Sequence, residues 1–154
     1  MTKNDLIEWL QQVGDDDCSL DEHSSRCIVT TSGLEYFVEY LEQEEKLLIY
    51  SPVAQVSSAK EGATLLLREA LKLNFILAGQ YSLVLTLDER TDHLVLLLVV
   101  PSGPMLEEDF YAALALVIDR TEWLSSFLQD NQSGASDASS RQESAVGSAN
   151  LMRV

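Results

Sequence analysis

Two histidines and two cysteines are the only imidazole and thiol groups in the chain, and they do not compose a metal site. Cys18 and Cys27 lie nine positions apart, and His23 and His93 do not complete a four-donor set at ligand spacing. In a reducing compartment two free thiols are the default. Asp15, Asp16 and Asp17 invite a calcium reading, which fails. A loop of the EF type starting at Asp15 puts Leu20 where glycine is needed and Arg26 where the bidentate glutamate belongs. Gly33, Gly62 and Gly79 are isolated and fall in no phosphate-binding pattern. Ser, His and Asp are all present, but no spacing among them singles out a triad. His93 opens an apolar run after a polar turn, the usual place of a surface histidine. The acid pairs Glu44-Glu45 and Glu107-Glu108 are neighbours whose side chains point apart, a poor arrangement for general acid and base. These residues point away from catalysis and from any metal or cofactor.

What remains is charge and grease. The formal net charge is −15, and between Asp15 and Glu45 there are ten acidic residues against one basic residue, Arg26. Such a surface repels phosphate, which excludes nucleic acid and anionic lipid as natural partners. It suits a basic or amphipathic partner and keeps a complex soluble. With 46% hydrophobic residues in 154, the chain can bury one core. No apolar run reaches the ~18 residues that span a bilayer. The opening residues Thr2 to Asp5 lack a basic-then-apolar leader, so the chain is expected to stay in the cytosol.

The elements that organise this surface follow from periodicity. Thr2 and Asp5 can cap a first helix whose stripe is Leu6, Ile7, Trp9, Leu10 and Val13, with Gly14 ending it. A β-branched strand, Arg26 to Thr31, leads into the turn pair Ser32-Gly33. Leu34 to Leu41 fits two periods. As a strand it turns Leu34, Tyr36, Val38 and Tyr40 to one side; as a helix it makes a stripe of Leu34, Phe37, Val38 and Leu41. Aromatic and β-branched content favours the strand. Lys46 to Tyr50 make another strand, stopped by Ser51-Pro52.

A second helix is expected from Ser58 to about Leu73, with Leu65, Leu66, Leu67, Ala70, Leu71 and Leu73 spread around most of its circumference. A helix of that kind must be covered on more than one side. Two strands follow, Tyr81 to Leu87 and His93 to Val100; the second is apolar enough to be covered on both faces. A third helix begins after Pro104 with Glu107, Glu108 and Asp109 at its positive end, and buries Phe110, Leu114, Val117, Thr121, Leu124 and Leu128. From Asp130 the composition turns to Ser, Ala, Gly, Asn and Gln. That stretch lacks the apolar area to offset about 1–2 kcal/mol of backbone entropy per residue, which predicts disorder. The expected organisation is one domain over 1–129 and a disordered polar tail over 130–154.

In this order of elements the chain resembles the class I chaperones of type III secretion. The resemblance covers roughly Leu6 to Leu128. It rests on Ser19-Leu20-Asp21-Glu22 before the first strand, Leu71-Lys72-Leu73-Asn74 at the end of the second helix, and the paired strands Leu85-Thr86-Leu87-Asp88 and Leu94 to Pro101. The last helix adds Phe110, Leu114, Ile118, Asp119, Glu122, Trp123 and Leu128. Ser102-Gly103-Pro104-Met105 and the long polar tail depart from the family pattern. A narrower resemblance, carried by Ser19 to Val53 and the ending Met152-Arg153-Val154, is to regulatory members that couple secretion to transcription by exchanging partners.

The resemblance implies an α+β protomer of order α-β-β-β-α-β-β-α, with a twisted antiparallel sheet, assembled as a homodimer. It implies no enzymatic activity, no cofactor, and a secreted effector as partner, its N-terminal segment held extended and partly added to a sheet edge. The narrower resemblance implies a further partner, an anti-activator regulator. The partner surface is expected to draw on Leu6, Leu10, Ile28, Leu34, Tyr36, Val38, Tyr40 and Ile49. The dimer interface is expected to draw on Leu66, Leu67, Ala70, Leu73, Leu83 and Leu85.

Overall fold

A computed structural model describes residues 1–13, 26–31, 33–56 and 60–147, with side chains described for 1–13, 31, 33–56 and 63–128. Helix α1 (Lys3–Val13) is followed by strands β1 (Arg26–Thr31), β2 (Leu34–Leu41) and β3 (Lys46–Gln55), helix α2 (Lys60–Tyr81), strands β4 (Leu83–Asp88) and β5 (His93–Pro101), and helix α3 (Glu107–Gly147). This is the order expected from the sequence. The strands form one antiparallel sheet of order β1-β2-β3-β5-β4.

Alternation sorts every strand whose side chains are described into two faces. Tyr36, Val38 and Tyr40 of β2, Leu47, Ile49 and Val53 of β3, Leu94, Leu96 and Leu98 of β5, and Leu83 and Leu85 of β4 are buried in a single core. Helix α3 lays Phe110, Leu114, Val117, Leu124 and Leu128 on that face, α2 adds Leu66, Ala70 and Leu77, and α1 adds Leu6 and Leu10. Burying a leucine of this kind contributes about 1.5–3 kcal/mol. The result is two layers, helices on one side of the sheet and no described helix on the other.

The expected capping box of α1 is present. The Thr2 N–H donates to Asp5 Oδ2 at 2.7 Å and the Asp5 N–H donates to Thr2 Oγ1 at 3.3 Å. The Thr2 backbone N–H, and after it the Thr2 hydroxyl beside the carboxyl, hold Asp5 below its usual value. Trp9 stacks on Phe110 at 5.8 Å, which pins α1 beside the start of α3.

Several boundaries differ from the sequence reading. The strand expected to stop at Tyr50 runs on to Gln55. Register shifts between Pro52 and Ala54, a bulge that tolerates a proline in an interior strand. The β2–β3 ladder begins at Phe37 opposite Tyr50, short of Pro52, and the Ser51 hydroxyl donates to the Glu35 carbonyl at 2.8 Å in the gap. Helix α2 continues past Leu73 to Tyr81, because Leu77 extends the buried stripe of Leu66 and Ala70. Its end is held by Arg120, which sits 4.2 Å over the Tyr81 ring. Strand β4 accordingly starts at Leu83 rather than Tyr81, after Ser82 has turned with φ 57°. The helical backbone of α3 runs to Gly147, beyond residue 129. Ser58, the expected cap of α2, and Asp15 to Asp17 lie outside the described residues.

Candidate partner-binding surface

On the side of the sheet that carries no described helix, an apolar row crosses β2, β3, β5 and β4, with β1 paired alongside. Ile28 of β1 occupies the position opposite Phe37, Phe37 is opposite Tyr50, Tyr50 opposite Leu97, and Leu97 opposite Val84. The Phe37 and Tyr50 rings stack with centroids 5.2 Å apart and planes inclined by 21°. Leu48 and Val99 are paired on one side of this row, Pro52 and Val95 on the other. Phe37, Leu48, Tyr50, Val95 and Leu97 are half-buried, while Val84 and Val99 are exposed.

Acidic groups frame the row. Glu35 and Glu39 share the outward face of β2 with Phe37, and the Tyr50 hydroxyl reaches Glu39 Oε2 at 3.4 Å. Glu42, Glu44 and Glu45 close the β2–β3 end of the sheet in a 3-10 turn whose last residue takes a left-handed conformation, φ 50°. Lys46 is bonded to Glu44 at 3.1 Å, an exposed pair worth little in water. An apolar stripe rimmed by carboxylates can bind an extended chain whose side chains alternate apolar and basic.

A second uncovered apolar surface lies on α2. Opposite its core-facing stripe, Leu71 is 72% and Phe75 86% exposed one turn apart, and Leu65 and Ile76 flank them. The all-round grease foreseen from the sequence is therefore real, and only its inner side is used by the protomer. A smaller patch is Trp123 on α3, stacked on Phe127 at 5.5 Å.

Six of the eight residues expected to touch a partner are placed in the core. Leu6, Leu10, Tyr36, Val38 and Ile49 are fully buried and Tyr40 nearly so, all within the protomer's own core. A side chain enclosed by its own chain has no area left for a second molecule. Leu34 is half-buried, and the Ile28 backbone is paired with Phe37. Of the residues expected at a dimer interface, Leu66, Ala70, Leu83 and Leu85 are buried in the core, while Leu67 and Leu73 are half-buried against it. Reasoning from apolarity chose the inward neighbours of the outward residues. Phe37, Tyr50, Leu97, Leu71 and Phe75, which the structure leaves half-buried or exposed, were not among those chosen, though strand alternation would have found the first three once the core face was known.

Among the described residues no group of three or more His, Cys, Asp or Glu could hold a metal ion, and no helix is long and apolar enough to cross a membrane. Four side-chain polar atoms are buried without a hydrogen-bond partner among those residues, Tyr36 Oη, Ser102 Oγ, Arg120 Nε and Thr121 Oγ1, although Arg120 Nε lies 3.4 Å from Asp119 Oδ2. Tyr36 lies on β2 and Ser102 in the segment after β5, while Arg120 and Thr121 are neighbours on α3.

The fold has clear relatives. The chain is similar to one in the ExsC-ExsE complex, at 20% identity and a TM-score of 0.66 over 82% of this chain and 92% of that one. It is similar to one in the HopA1-SchA chaperone-effector complex, at 14% identity and 0.62 over 80% and 92%. A third is a chain of the heterodimeric ExoU-SpcU complex from the type III secretion system of Pseudomonas aeruginosa, at 18% identity and 0.57 over 78% and 94%. No individual curated protein matches the sequence. The family model of the Tir chaperone proteins matches residues 6–125, most of the chain and every element of the sheet, and this chain belongs to the Tir chaperone protein (CesT) family.

Proposed function

We propose that this protein is a type III secretion chaperone that holds the N-terminal segment of a secreted effector extended, soluble and ready for export. The observation that carries the reading is the half-buried to exposed row Phe37-Tyr50-Leu97-Val84, on the side of the sheet with no described helix and framed by Glu35 and Glu39 on a chain of net charge −15. The occupant is an extended segment of a secreted protein with alternating apolar and basic residues. Its apolar side chains cover the row and its cations meet the carboxylates. The mechanism is holding, without chemistry and in the cytosol. The likeness to a chain of the HopA1-SchA chaperone-effector complex, and to one of a heterodimeric complex from a type III secretion system, supports it.

The working unit in this proposal is a homodimer joined through the outer face of α2, with Leu71 and Phe75 at its centre. Several leucine-sized side chains at about 1.5–3 kcal/mol each are enough to drive association. The packed domain ends near residue 129, after Leu128, the last buried anchor described; the polar stretch beyond it is a tail.

Co-purification from the native host tests the reading. A secreted protein bound through its N-terminal region is the expected result, and the double variant Phe37→Ser/Leu97→Ser should lose it. Recovery of the bare protein under inducing and non-inducing conditions alike would overturn the proposal.

A second reading keeps the same surface and changes its purpose: exchange between a secreted partner and an anti-activator, controlling secretion gene expression. The likeness to the chain of the ExsC-ExsE complex favours it. Deleting the gene separates the two, since a dedicated chaperone affects one effector and a regulator affects transcription of the whole system.

A further inference from the structure

The sheet has two rims, β1 and β4, and the two are not equivalent. Strand β4 is paired with β5 on one side, and on the other it meets α2. From the middle of α2, Asn74 reaches the backbone of Leu85. The Leu85 N–H donates to Asn74 Oδ1 at 2.9 Å, and Asn74 Nδ2 donates to the Leu85 carbonyl at 3.2 Å.

In an antiparallel ladder the N–H and C=O of one residue both face the paired strand or both face away, in alternation. Both groups of Leu85 are taken by Asn74, so they face away from β5, and Leu83 and Leu87 share that orientation by their spacing. An incoming strand would need these groups. The Asn74 amide presents one donor and one acceptor in a single plane, which is what the backbone of an added strand would offer at that position. The plug sits at the centre of a six-residue strand, and its helix is anchored on either side by Ala70 and Leu77. Among the described residues nothing pairs with the outer rim of β1.

We propose that Asn74 is an edge plug: it closes the β4 rim to strand addition, so that the sheet is open at β1 alone. Closure protects the chain from edge-to-edge assembly, the usual hazard of an unpaired strand. That the strand admitted at β1 belongs to an effector rests on the function proposed above; closure of β4 does not.

The test uses the full-length chain by itself. In Asn74→Ala the Leu85 amide should exchange about tenfold faster or more, and sedimentation should show species larger than the wild-type particle that grow with concentration. Adding Leu87→Pro, which removes an outward N–H without touching the ladder to β5, should restore the wild-type size while Leu85 stays fast. An Asn74→Ala protein of wild-type size with a slow Leu85 amide would overturn the proposal, as would assembly that Leu87→Pro leaves intact. Should Asn74→Ala fail to fold, exchange in the wild type decides: a slow Leu85 amide supports the plug and a fast one removes it. Because no partner is present, loss of the effector reading would leave these outcomes unchanged.

Discussion

Phe37 and Tyr50 stack across β2 and β3 on the side of the sheet that carries no described helix, with ring centroids 5.2 Å apart. Directly beneath them, on the neighbouring positions of the same strands, Val38 and Ile49 are paired and fully buried. One residue of displacement along a strand thus separates the core from the surface available to a partner.

Leu96 and Leu97 are adjacent in β5 and should behave oppositely. Leu96 is fully buried, and Leu96→Ala should destabilise the protomer by about 2–5 kcal/mol in urea unfolding. Leu97 belongs to the open row, and Leu97→Ala should leave the urea midpoint nearly unchanged while weakening partner binding. Equal loss of stability in both variants would show that the row is covered by the chain itself.

The dimer proposal makes a similar contrast on α2. Phe75, 86% exposed, can become glutamate without disturbing the core, so Phe75→Glu should sediment as a folded monomer. Leu66 is only 5% exposed, and Leu66→Glu should unfold the protomer instead, because a buried unpaired carboxylate is costly. Circular dichroism beside sedimentation separates the outcomes. A wild-type protein that sediments as a monomer would remove the dimer.

Much of the fold was legible in the sequence because its rules are local. The period of Leu34 to Leu41 fitted helix and strand alike, and β3 decides for the strand by offering a ladder from Phe37 to Leu41. The extension of β3 past Pro52 was not legible. It depends on a bulge and on the Ser51 hydroxyl reaching Glu35, contacts between segments distant in sequence. Asn74 reads as a helix end for the same reason, since its partner at Leu85 lies on another element. The candidate surface was legible only in part. Apolarity ranks Tyr36, Val38 and Ile49 highest, and residues that greasy are the ones folding encloses. Phe37, set between Glu35 and Glu39, looks like an ordinary solvent-facing position until the strand is seen with no described helix above it.

Tyr36 should make the protein sensitive to alkali. Its phenol is buried without a hydrogen-bond partner among the described residues, and burial, with the Glu122 carboxylate adding to it, raises its pKa above the ordinary 10.0. A raised folded-state pKa means that the unfolded chain loses its proton first. The contribution is therefore complete below pH 10.0 and is lost as pH climbs through the folded value. Wild-type stability should fall in that range, and Tyr36→Phe should flatten the fall. At neutral pH Tyr36→Phe should cost nothing or stabilise, since it removes a buried hydroxyl that has no partner. Tyr111 is raised too, by burial and then by Glu107, but it is more accessible than Tyr36, so Tyr111→Phe should flatten the curve less.

The most direct test of the open face is hydroxyl-radical footprinting of Phe37 and Tyr50, with and without the co-purified secreted partner. Occupation of the row predicts that both rings are oxidised about tenfold more slowly in the complex, while Trp123, on the opposite layer, reacts at the same rate in both states. Unchanged oxidation of Phe37 and Tyr50 in a complex shown to be intact would contradict the account.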